Sequence, residues 1–152
     1  MISFSDMKRQ RIIVVLGKTA TGKSDLAVRL AKKFGGEVIS ADSRQVYRGL
    51  NLGTGKITKR EMCGIPHHLL DVADPKKQFS VAEYKKLAEK AISEIISRGK
   101  LPIICGGTGL YIDSVTNGTI FPEVPPNPKL RKQLGNKTIK QLFEILKKLD
   151  PR

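Results

Sequence analysis

The sequence has few cysteines and no long apolar segment. Cys63 and Cys105 are its two cysteines in 152 residues, too few for a disulfide framework. No apolar run approaches the ~20 residues that a membrane-spanning helix needs. The N-terminal residues also lack the apolar core of a secretory signal. These absences argue against a disulfide scaffold and a membrane protein, and they lead us to expect a cytoplasmic protein.

Acidic residues are also scarce. There are 14 Asp plus Glu against 28 Lys plus Arg, which gives a formal net charge of +14. The excess is spread along the chain, so it is not a single basic tail. Such a charge suits a polyanionic partner such as nucleic acid, and a surface of solvated lysines explains it equally well.

A phosphate-binding motif follows the first predicted strand. Residues 11–16 form a β-branched run, and residues 25–34 place apolar side chains at helical spacing. The connecting segment is a Walker A motif, whose backbone N–H groups and helix N-terminus suit a di- or triphosphate. Lys23 can reach a phosphate oxygen, and Ser24 can ligand Mg²⁺. The predicted phosphate-binding residues are Gly17, Lys18, Thr19, Ala20, Thr21, Gly22, Lys23 and Ser24.

The rest of the first 121 residues predicts a parallel sheet covered by helices, that is, an α/β fold. A capping box at Ser80 and Glu83 predicts a helix that ends at Gly99. Residues 49–66 are rich in turn formers and predict a long surface loop. The remaining predicted elements are strands at 37–42, 67–71 and 101–105 and a short helix at about 109–116.

The composition changes at residue 122. Pro122, Pro125, Pro126 and Pro128 predict a linker without helix or inner strand. A second capping box, Thr138 to Gln141, then predicts a helix with one apolar side. We therefore predict an α/β core domain over 1–121, a linker over 122–128 and an incomplete helical segment over 129–152.

Polar groups follow the predicted strands at one edge of the sheet. Asp42 ends one strand and is a candidate general base facing the phosphate chain; alternatively, it caps a short helix at 43–47. For Asp71, a turn or structural role is the better interpretation. For the turn at 106–109, a role in ligand binding and a purely structural role are equally supported interpretations.

The histidines and cysteines predict no metal site. His67 and His68 have no His or Cys partners at metal-ligand spacing, so packed or turn-forming histidines are expected. Cys63 is interpreted as a loop thiol and Cys105 as a core thiol.

Together, these motifs resemble those of the tRNA dimethylallyltransferases, also called tRNA isopentenyltransferases or IPP transferases. The resemblance runs from about residue 11 to residue 121. Lys18 stands where the family usually has proline, and Arg44 stands where an uncharged residue is common. The matching segments, in order, are the Walker A motif, Ile39–Gly49, Gly53–Lys56, Pro66–Asp71, Asp74-Pro75, Ser80-Val-Ala and Gly106–Tyr111.

The resemblance implies a P-loop NTPase-like fold, with a C-terminal segment that starts a helical insertion. It implies transfer of a dimethylallyl group from dimethylallyl diphosphate to N6 of the adenosine next to the anticodon of tRNA. Asp42 would be the general base, Thr19 would lie near the reacting carbon, and Lys23 with Mg²⁺ on Ser24 would neutralise the leaving diphosphate. The implied tRNA contacts are Asp42, Ser43, Arg44, Gln45 and Thr108.

The implied partners are the tRNA anticodon stem-loop and dimethylallyl diphosphate. The protein is expected to be a monomer and to have no membrane partner. The target base would leave its stack to reach the pocket. Family members are much longer, so the chain resembles their N-terminal part, and the activity of this part alone is left open. Two alternatives stay open: a P-loop small-molecule kinase that uses ATP, and an inert fragment that binds diphosphate or RNA.

Overall fold

The computed structural model describes residues 11–121, 124 and 126–151. The chain divides into two compact units, one ending at Ile120 and one beginning at Phe121, and each is described by itself. Within the described residues, no helix combines the length and the apolar character needed to cross a membrane.

A four-stranded parallel sheet forms the centre of the first unit. Its strand order is β1-β4-β2-β3, and every neighbouring pair is parallel. Ile39 and Ile104 are fully buried, as expected for parallel strands that are covered on both faces. The predicted α/β fold, a P-loop NTPase-like parallel sheet flanked by helices, is confirmed. The strands are β1 (Ile13–Leu16), β2 (Gly36–Ser40), β3 (His67–His68) and β4 (Leu101–Gly106).

Helices cover both faces of this sheet. The neighbouring residues Val38 and Ile39 belong to different core clusters, because successive side chains of a strand point to opposite faces. The described helices of this unit are α1 (Lys23–Phe34), α2 (Lys59–Met62), α3 (Val81–Ser97) and α4 (Gly109–Thr116). Val38 packs with Ala27 of α1, whereas Ile39 belongs to the same cluster as Ile92 of α3 and Ile112 of α4.

The strand register places three loops side by side at one edge of the sheet. Leu16 of β1 is opposite Gly106 of β4, and Ser40 of β2 is opposite Cys105. The Walker A loop follows β1, the turn at Asp42 follows β2, and the glycine-rich turn follows β4. Parallel α/β sheets bind their ligands at this edge, so the fold itself assembles a candidate site.

The segment predicted as a long loop over 49–66 contains one helical turn. Thr58 starts α2 with a capping box: its hydroxyl accepts a hydrogen bond from the Glu61 amide, and the Glu61 carboxylate accepts one from the Thr58 amide. The prediction of an unbroken loop is therefore wrong over Lys59–Met62. The Thr-x-x-Glu spacing of the capping box was the signal for this helix in the sequence.

The strand predicted for 67–71 ends at His68. Leu69 and Asp71 have positive φ angles of 62° and 57°, which lie outside the β region and stop the strand. Aspartate is among the residues that adopt positive φ angles most readily, which agrees with the turn expected at Asp71, whereas Leu69 gave no such signal. The alternative short helix at 43–47 is also absent, because most of this segment forms turns.

Over its described residues, the second unit contains two short helices, α5 (Pro128–Gly135) and α6 (Ile139–Leu149). The predicted capping box at Thr138 opens α6 and is confirmed. The prediction that 122–128 holds no helix is wrong at its last residue. Pro128 opens α5, because proline fits the first helical turn and the Asn127 side chain caps the Leu130 amide at 2.9 Å. Residues 122, 123 and 125 of the predicted linker lie outside the described residues.

Candidate phosphate-binding site

A cavity of about 290 Å³ opens at the carboxyl edge of the sheet. It brings together six of the eight predicted phosphate-binding residues, Thr19 to Ser24, with Asp42 and Gln45 from the predicted tRNA contacts. Gly17 and Lys18 do not line it, and neither do Ser43, Arg44 and Thr108. Its other lining residues are Asp25, Thr54, Gly55, Cys105, Gly106 and Gly107.

The Walker A loop presents the start of α1 to this cavity. Ala20 and Gly22 both have left-handed backbone conformations, with φ angles of 62° and 77°, and this curls the loop. Among the residues that the structure describes, no side chain caps this helix, which begins directly after Gly22. Its first backbone N–H groups are therefore free of a side-chain acceptor, and they lie at the positive end of the helix dipole. Such an arrangement suits the binding of phosphate groups.

The Lys18 carbonyl holds two side chains of the loop. It accepts a hydrogen bond from the Thr21 hydroxyl at 2.8 Å and another from the Lys23 ammonium group. The ammonium group is therefore held at the loop. Lys18 acts here through its backbone, as expected for a position where the family usually has proline.

The Asp42 carboxylate caps a turn and lines the cavity. Its Oδ1 atom accepts hydrogen bonds from the Arg44 amide at 2.8 Å and the Gln45 amide at 3.3 Å. No group within the described residues donates to its Oδ2 atom. Asp42 thus caps a turn and not the alternative helix at 43–47. One oxygen holds this turn, and the other remains available to accept a proton.

The glycine-rich turn after β4 is tied to the turn after β2. Thr108 accepts a hydrogen bond from the Ser43 amide at 3.0 Å, and its own amide donates to the Ala41 carbonyl at 3.1 Å. Thr108 therefore has a structural role, whereas Gly106 and Gly107 of the same turn line the cavity.

A loop that the sequence interpretation left out of the site also reaches the cavity. Gln45 Nε2 donates to the carbonyls of Thr54 at 3.4 Å and Gly55 at 3.2 Å. Lys56, whose side chain is only 5% exposed, forms an ion pair with Asp71 at 2.5 Å. These contacts hold the loop beside Gln45, so the structural role expected for Asp71 is confirmed. The Gly53-Thr-Gly-Lys56 segment of the family resemblance was the sequence signal for this loop.

Both histidines are packed, as expected. His68 Nε2 lies 2.7 Å from Glu37 Oε2, and His67 Nδ1 lies 2.8 Å from the Ile65 carbonyl. Burial lowers the pKa of His67. Neither ring lines the cavity described above.

The cysteine interpretations are confirmed as well. Cys63 is exposed at the end of α2, and Cys105 is buried in β4. Burial raises the pKa of Cys105 to about 11, so the thiol that lines the cavity stays protonated at neutral pH.

The donor groups at the cavity fit Mg²⁺ held mainly by phosphate. Among the described residues, no group of three or more His, Cys, Asp and Glu side chains could hold a metal by itself. Ser24 lines the cavity together with Asp25 and Asp42, so oxygen donors are present. Mg²⁺ commonly keeps several waters and binds through substrate phosphates and one or two protein oxygens. The site therefore fits a phosphate-bound Mg²⁺ and does not fit a dedicated protein metal centre.

Comparisons with known proteins give one consistent family. The sequence profile described as "IPP transferase" matches residues 45–152. A tRNA dimethylallyltransferase of Anoxybacillus flavithermus is 49% identical over 142 residues, which are 93% of this chain and 46% of that protein.

Solved structures agree with this result. The full-length tRNA isopentenylpyrophosphate transferase of Bacillus halodurans has a TM-score of 0.74 and 42% identity, over 95% of this chain and 49% of its own. A eukaryotic dimethylallyltransferase acting on tRNA has a TM-score of 0.79 and 35% identity, over 93% of this chain and 36% of its own. The chain thus spans about half the length of the bacterial relatives that it matches.

Proposed function

The chain belongs to the IPP transferase family, and from this premise we propose that its cavity binds dimethylallyl diphosphate and serves transfer of the dimethylallyl group to tRNA. The acceptor is N6 of the adenosine next to the anticodon. One observation carries the proposal: the start of α1 and the Asp42 carboxylate line the same cavity. A binding site for the leaving diphosphate and a proton acceptor therefore lie together.

The Walker A loop would hold the diphosphate. Its backbone N–H groups and the Lys23 ammonium group supply positive charge where negative charge grows as the diphosphate leaves. The Lys23 ammonium group is already held at the loop by the Lys18 carbonyl. Thr19 lines the cavity and would lie near the reacting carbon.

Mg²⁺ would bind through the Ser24 hydroxyl and the diphosphate oxygens, where it adds further charge neutralisation. Ser24 lies at the second position of α1, next to Lys23. A cation there and the Lys23 ammonium group would both act on the diphosphate.

Asp42 would accept the proton that the reaction releases. The N6 amine attacks C1 of the donor, the N6–C1 bond forms, the C1–O bond breaks, and the diphosphate departs with the bonding electrons. The amine then carries one proton too many, which Asp42 Oδ2 can accept. Oδ1 continues to accept the hydrogen bonds from Arg44 and Gln45, so the carboxylate stays oriented.

The tRNA contacts belong to the same proposal. Asp42, Ser43, Arg44 and Gln45 form one turn at the edge of the cavity, and Thr108 is bonded to it. The eukaryotic relative is a dimethylallyltransferase that acts on tRNA, and the net charge of +14 suits such a partner.

The kinase alternative receives less support. Such an enzyme needs an arginine that closes over the phosphates, and Arg44, Arg48 and Arg98 are the arginines considered for that role. Arg98 is paired with Glu37 at 2.7 Å, and neither Arg44 nor Arg48 lines the cavity.

Calorimetry of the 152-residue chain with Mg²⁺ tests the donor assignment. We expect dimethylallyl diphosphate to bind more tightly than ATP, and we expect Lys23→Met to abolish binding while Lys33→Met, an exposed control on the same helix, leaves it intact. A preference for ATP would favour the kinase and contradict the proposal.

A second assay tests the transfer. The chain is incubated with the donor and tRNA, and the digested nucleosides are weighed by mass spectrometry. An N6-alkylated adenosine supports the transferase. Donor binding without turnover would identify the chain as a binding fragment that needs the rest of the relatives' length.

A further inference from the structure

A second, basic groove lies between the segment 72–79 and helix α3, outside the phosphate site. Its cavity measures about 480 Å³. Three cationic side chains line it, Arg48, Lys77 and Lys86, and all three residues are exposed. They come from three different segments of the first unit, so their proximity is a product of the fold and not of a charge run in the sequence.

The backbone around these cations is firmly held. The segment of Arg48 pairs with that of Ala73: the Arg48 amide donates to the Ala73 carbonyl at 3.0 Å, and the Ala73 amide donates to the Val46 carbonyl at 2.8 Å. Val46 is fully buried, and Ala73 is 5% exposed. Lys77 follows in a turn closed onto Asp74, and Lys86 projects from the long helix α3. The backbone positions that carry these side chains are therefore fixed by the fold.

The carboxylates of the groove accept local hydrogen bonds, in a turn and in a helix cap, whereas its cations form no ion pair within the part of the chain that the structure describes. Asp74 accepts a hydrogen bond from the Lys76 amide at 2.9 Å, and Glu83 accepts two from Ser80 in the capping box of α3. These bonds lower the pKa of Glu83 and fix its direction. Within the described residues, none of the three cations forms an ion pair. Their charge is available to an external anion.

The groove also offers groups that suit single-stranded nucleic acid. Phe79 is half-buried beside the cations and presents an aromatic ring, and Gln78 adds an exposed amide. Cations combined with an aromatic surface are the usual elements of sites that bind single strands through phosphates and bases.

The groove is close to the proposed reaction site along the chain. Asp42 and Arg48 are six residues apart, a span of at most about 20 Å even for extended backbone. This short segment starts at the cavity and ends in the groove. A strand whose base reaches Asp42 can therefore extend over Arg48.

We propose that the groove of Arg48, Lys77 and Lys86 binds the phosphate backbone of the RNA beside the nucleotide that enters the catalytic cavity. The inference rests on the proposed function, which it deepens by assigning a second contact surface for the tRNA. The occupant is a flexible, single-stranded stretch, as in an anticodon loop, because its phosphates and bases are both accessible.

Binding of a labelled anticodon-loop RNA hairpin to the full chain, measured over a series of salt concentrations, tests this proposal. The variant carries Lys77→Ala and Lys86→Ala. Each lost phosphate contact lowers the slope of log K against log salt by about 0.7, which at about 0.1 M salt corresponds to about fivefold in affinity. We expect a loss of about 25-fold for the two contacts together.

The control variant carries Lys32→Ala and Lys90→Ala, two exposed lysines outside the groove, on α1 and α3. It removes the same net charge and is expected to change the affinity by less than about twofold. Equal losses in the two variants would mean that only the overall charge matters and would overturn the proposal.

Two further readouts separate this proposal from the proposed function. Dimethylallyl diphosphate binding, measured by calorimetry, is expected to be unchanged in both lysine variants. If the groove variant loses RNA affinity while the wild-type chain binds no dimethylallyl diphosphate, the groove stands and the transferase proposal fails. If polyglutamate binds in a manner that depends on Lys77 and Lys86 and the RNA does not, the groove binds acidic peptides and the RNA assignment is wrong.

Discussion

Gly106 lies against the Ala41 carbonyl so closely that no side chain fits between them. A β-carbon built on Gly106 would lie 2.1 Å from the Ala41 oxygen, far inside any contact distance. This approach joins the end of β4 to the residue before Asp42. The position of the candidate base therefore depends on a glycine that makes no contact through a side chain.

Gly106→Ala is expected to destabilise the protein by about 1–3 kcal/mol, because the added methyl group pushes the Ala41 segment away. Gly107→Ala is the matched control: its β-carbon would lie 3.4 Å from the Gly17 carbonyl oxygen, an ordinary contact. Thermal unfolding of both variants checks the prediction. Equal melting temperatures would show that the Ala41 segment can move away from the added methyl group without a loss of stability.

Asp71→Asn is expected to destabilise the loop beside the cavity. It leaves the Lys56 ammonium group, whose side chain is 5% exposed, without its carboxylate partner. Asp71 is itself 48% exposed, so the cost should be about 1–2 kcal/mol, below the 3–5 kcal/mol typical of a fully buried pair. Denaturant unfolding measures this cost. Adding Lys56→Met should recover part of it, and no recovery would show that the ion pair is not the cause.

Glu37 links the sheet to the end of α3 and makes stability depend on pH. Its carboxylate is 2.7 Å from both His68 and Arg98. Burial alone would raise the pKa of Glu37, but the hydrogen bonds from Arg98 and His68 outweigh it, and the pKa lies below the usual 4.5. The ionised form is therefore favoured in the folded protein.

A group with a lowered pKa in the folded state contributes stability above its unfolded pKa and loses it as the pH falls. The free-energy difference between wild type and Glu37→Gln should thus be largest above pH 4.5 and shrink as the pH falls below it. Denaturant unfolding of both proteins between neutral and acidic pH measures this. A constant difference across that range would mean that the Glu37 charge does not matter.

Tyr84 carries a buried hydroxyl without a hydrogen-bond partner in the described part of the chain. Its ring stacks on Tyr111 with centroids 3.9 Å apart. Tyr84→Phe keeps the stacked ring and removes the unsatisfied oxygen, so it should leave stability unchanged or raise it by about 1 kcal/mol. Thermal unfolding measures the change. A clear loss of stability would reveal a partner for the hydroxyl.

Local signals in the sequence predicted most of the first unit. The apolar spacing of α1 and the Ser80 capping box of α3 each act within a few residues, so they predict helices that begin and end as expected. The Walker A motif likewise carries its own strand, loop and helix. Signals from neighbouring residues were enough to predict these elements without the tertiary structure.

The missing parts depend on distant contacts. Thr54 and Gly55 join the cavity because Gln45, about ten residues earlier, bonds to their carbonyls. β3 stops early because Leu69 and Asp71 adopt positive φ angles, and leucine at the first of these positions does not indicate such a conformation. Tertiary packing imposes such features, and a single sequence does not reveal them.

The two oxygens of Asp42 predict different effects for two substitutions. Asp42→Asn keeps an acceptor for the amides of Arg44 and Gln45, so the turn and the melting temperature should be preserved. Asp42→Ala removes the acceptor and should cost about 0.5–2 kcal/mol, the usual value of such a cap. Thermal unfolding of the two variants separates these outcomes. An equal loss in both would show that the hydrogen bonds at Oδ1 do not stabilise the turn.

Asp42→Asn also separates binding from proton transfer. The carboxylate lines the cavity proposed for the diphosphate, so removing its charge should strengthen diphosphate binding by roughly 1 kcal/mol, or about fivefold, in calorimetry. Transfer to the adenosine should instead slow by about 10²–10⁴, the usual contribution of a general base. The amount of alkylated nucleoside formed over time measures that rate. Tighter binding with an unchanged rate would remove Asp42 from the role of base and leave it as the cap of its turn.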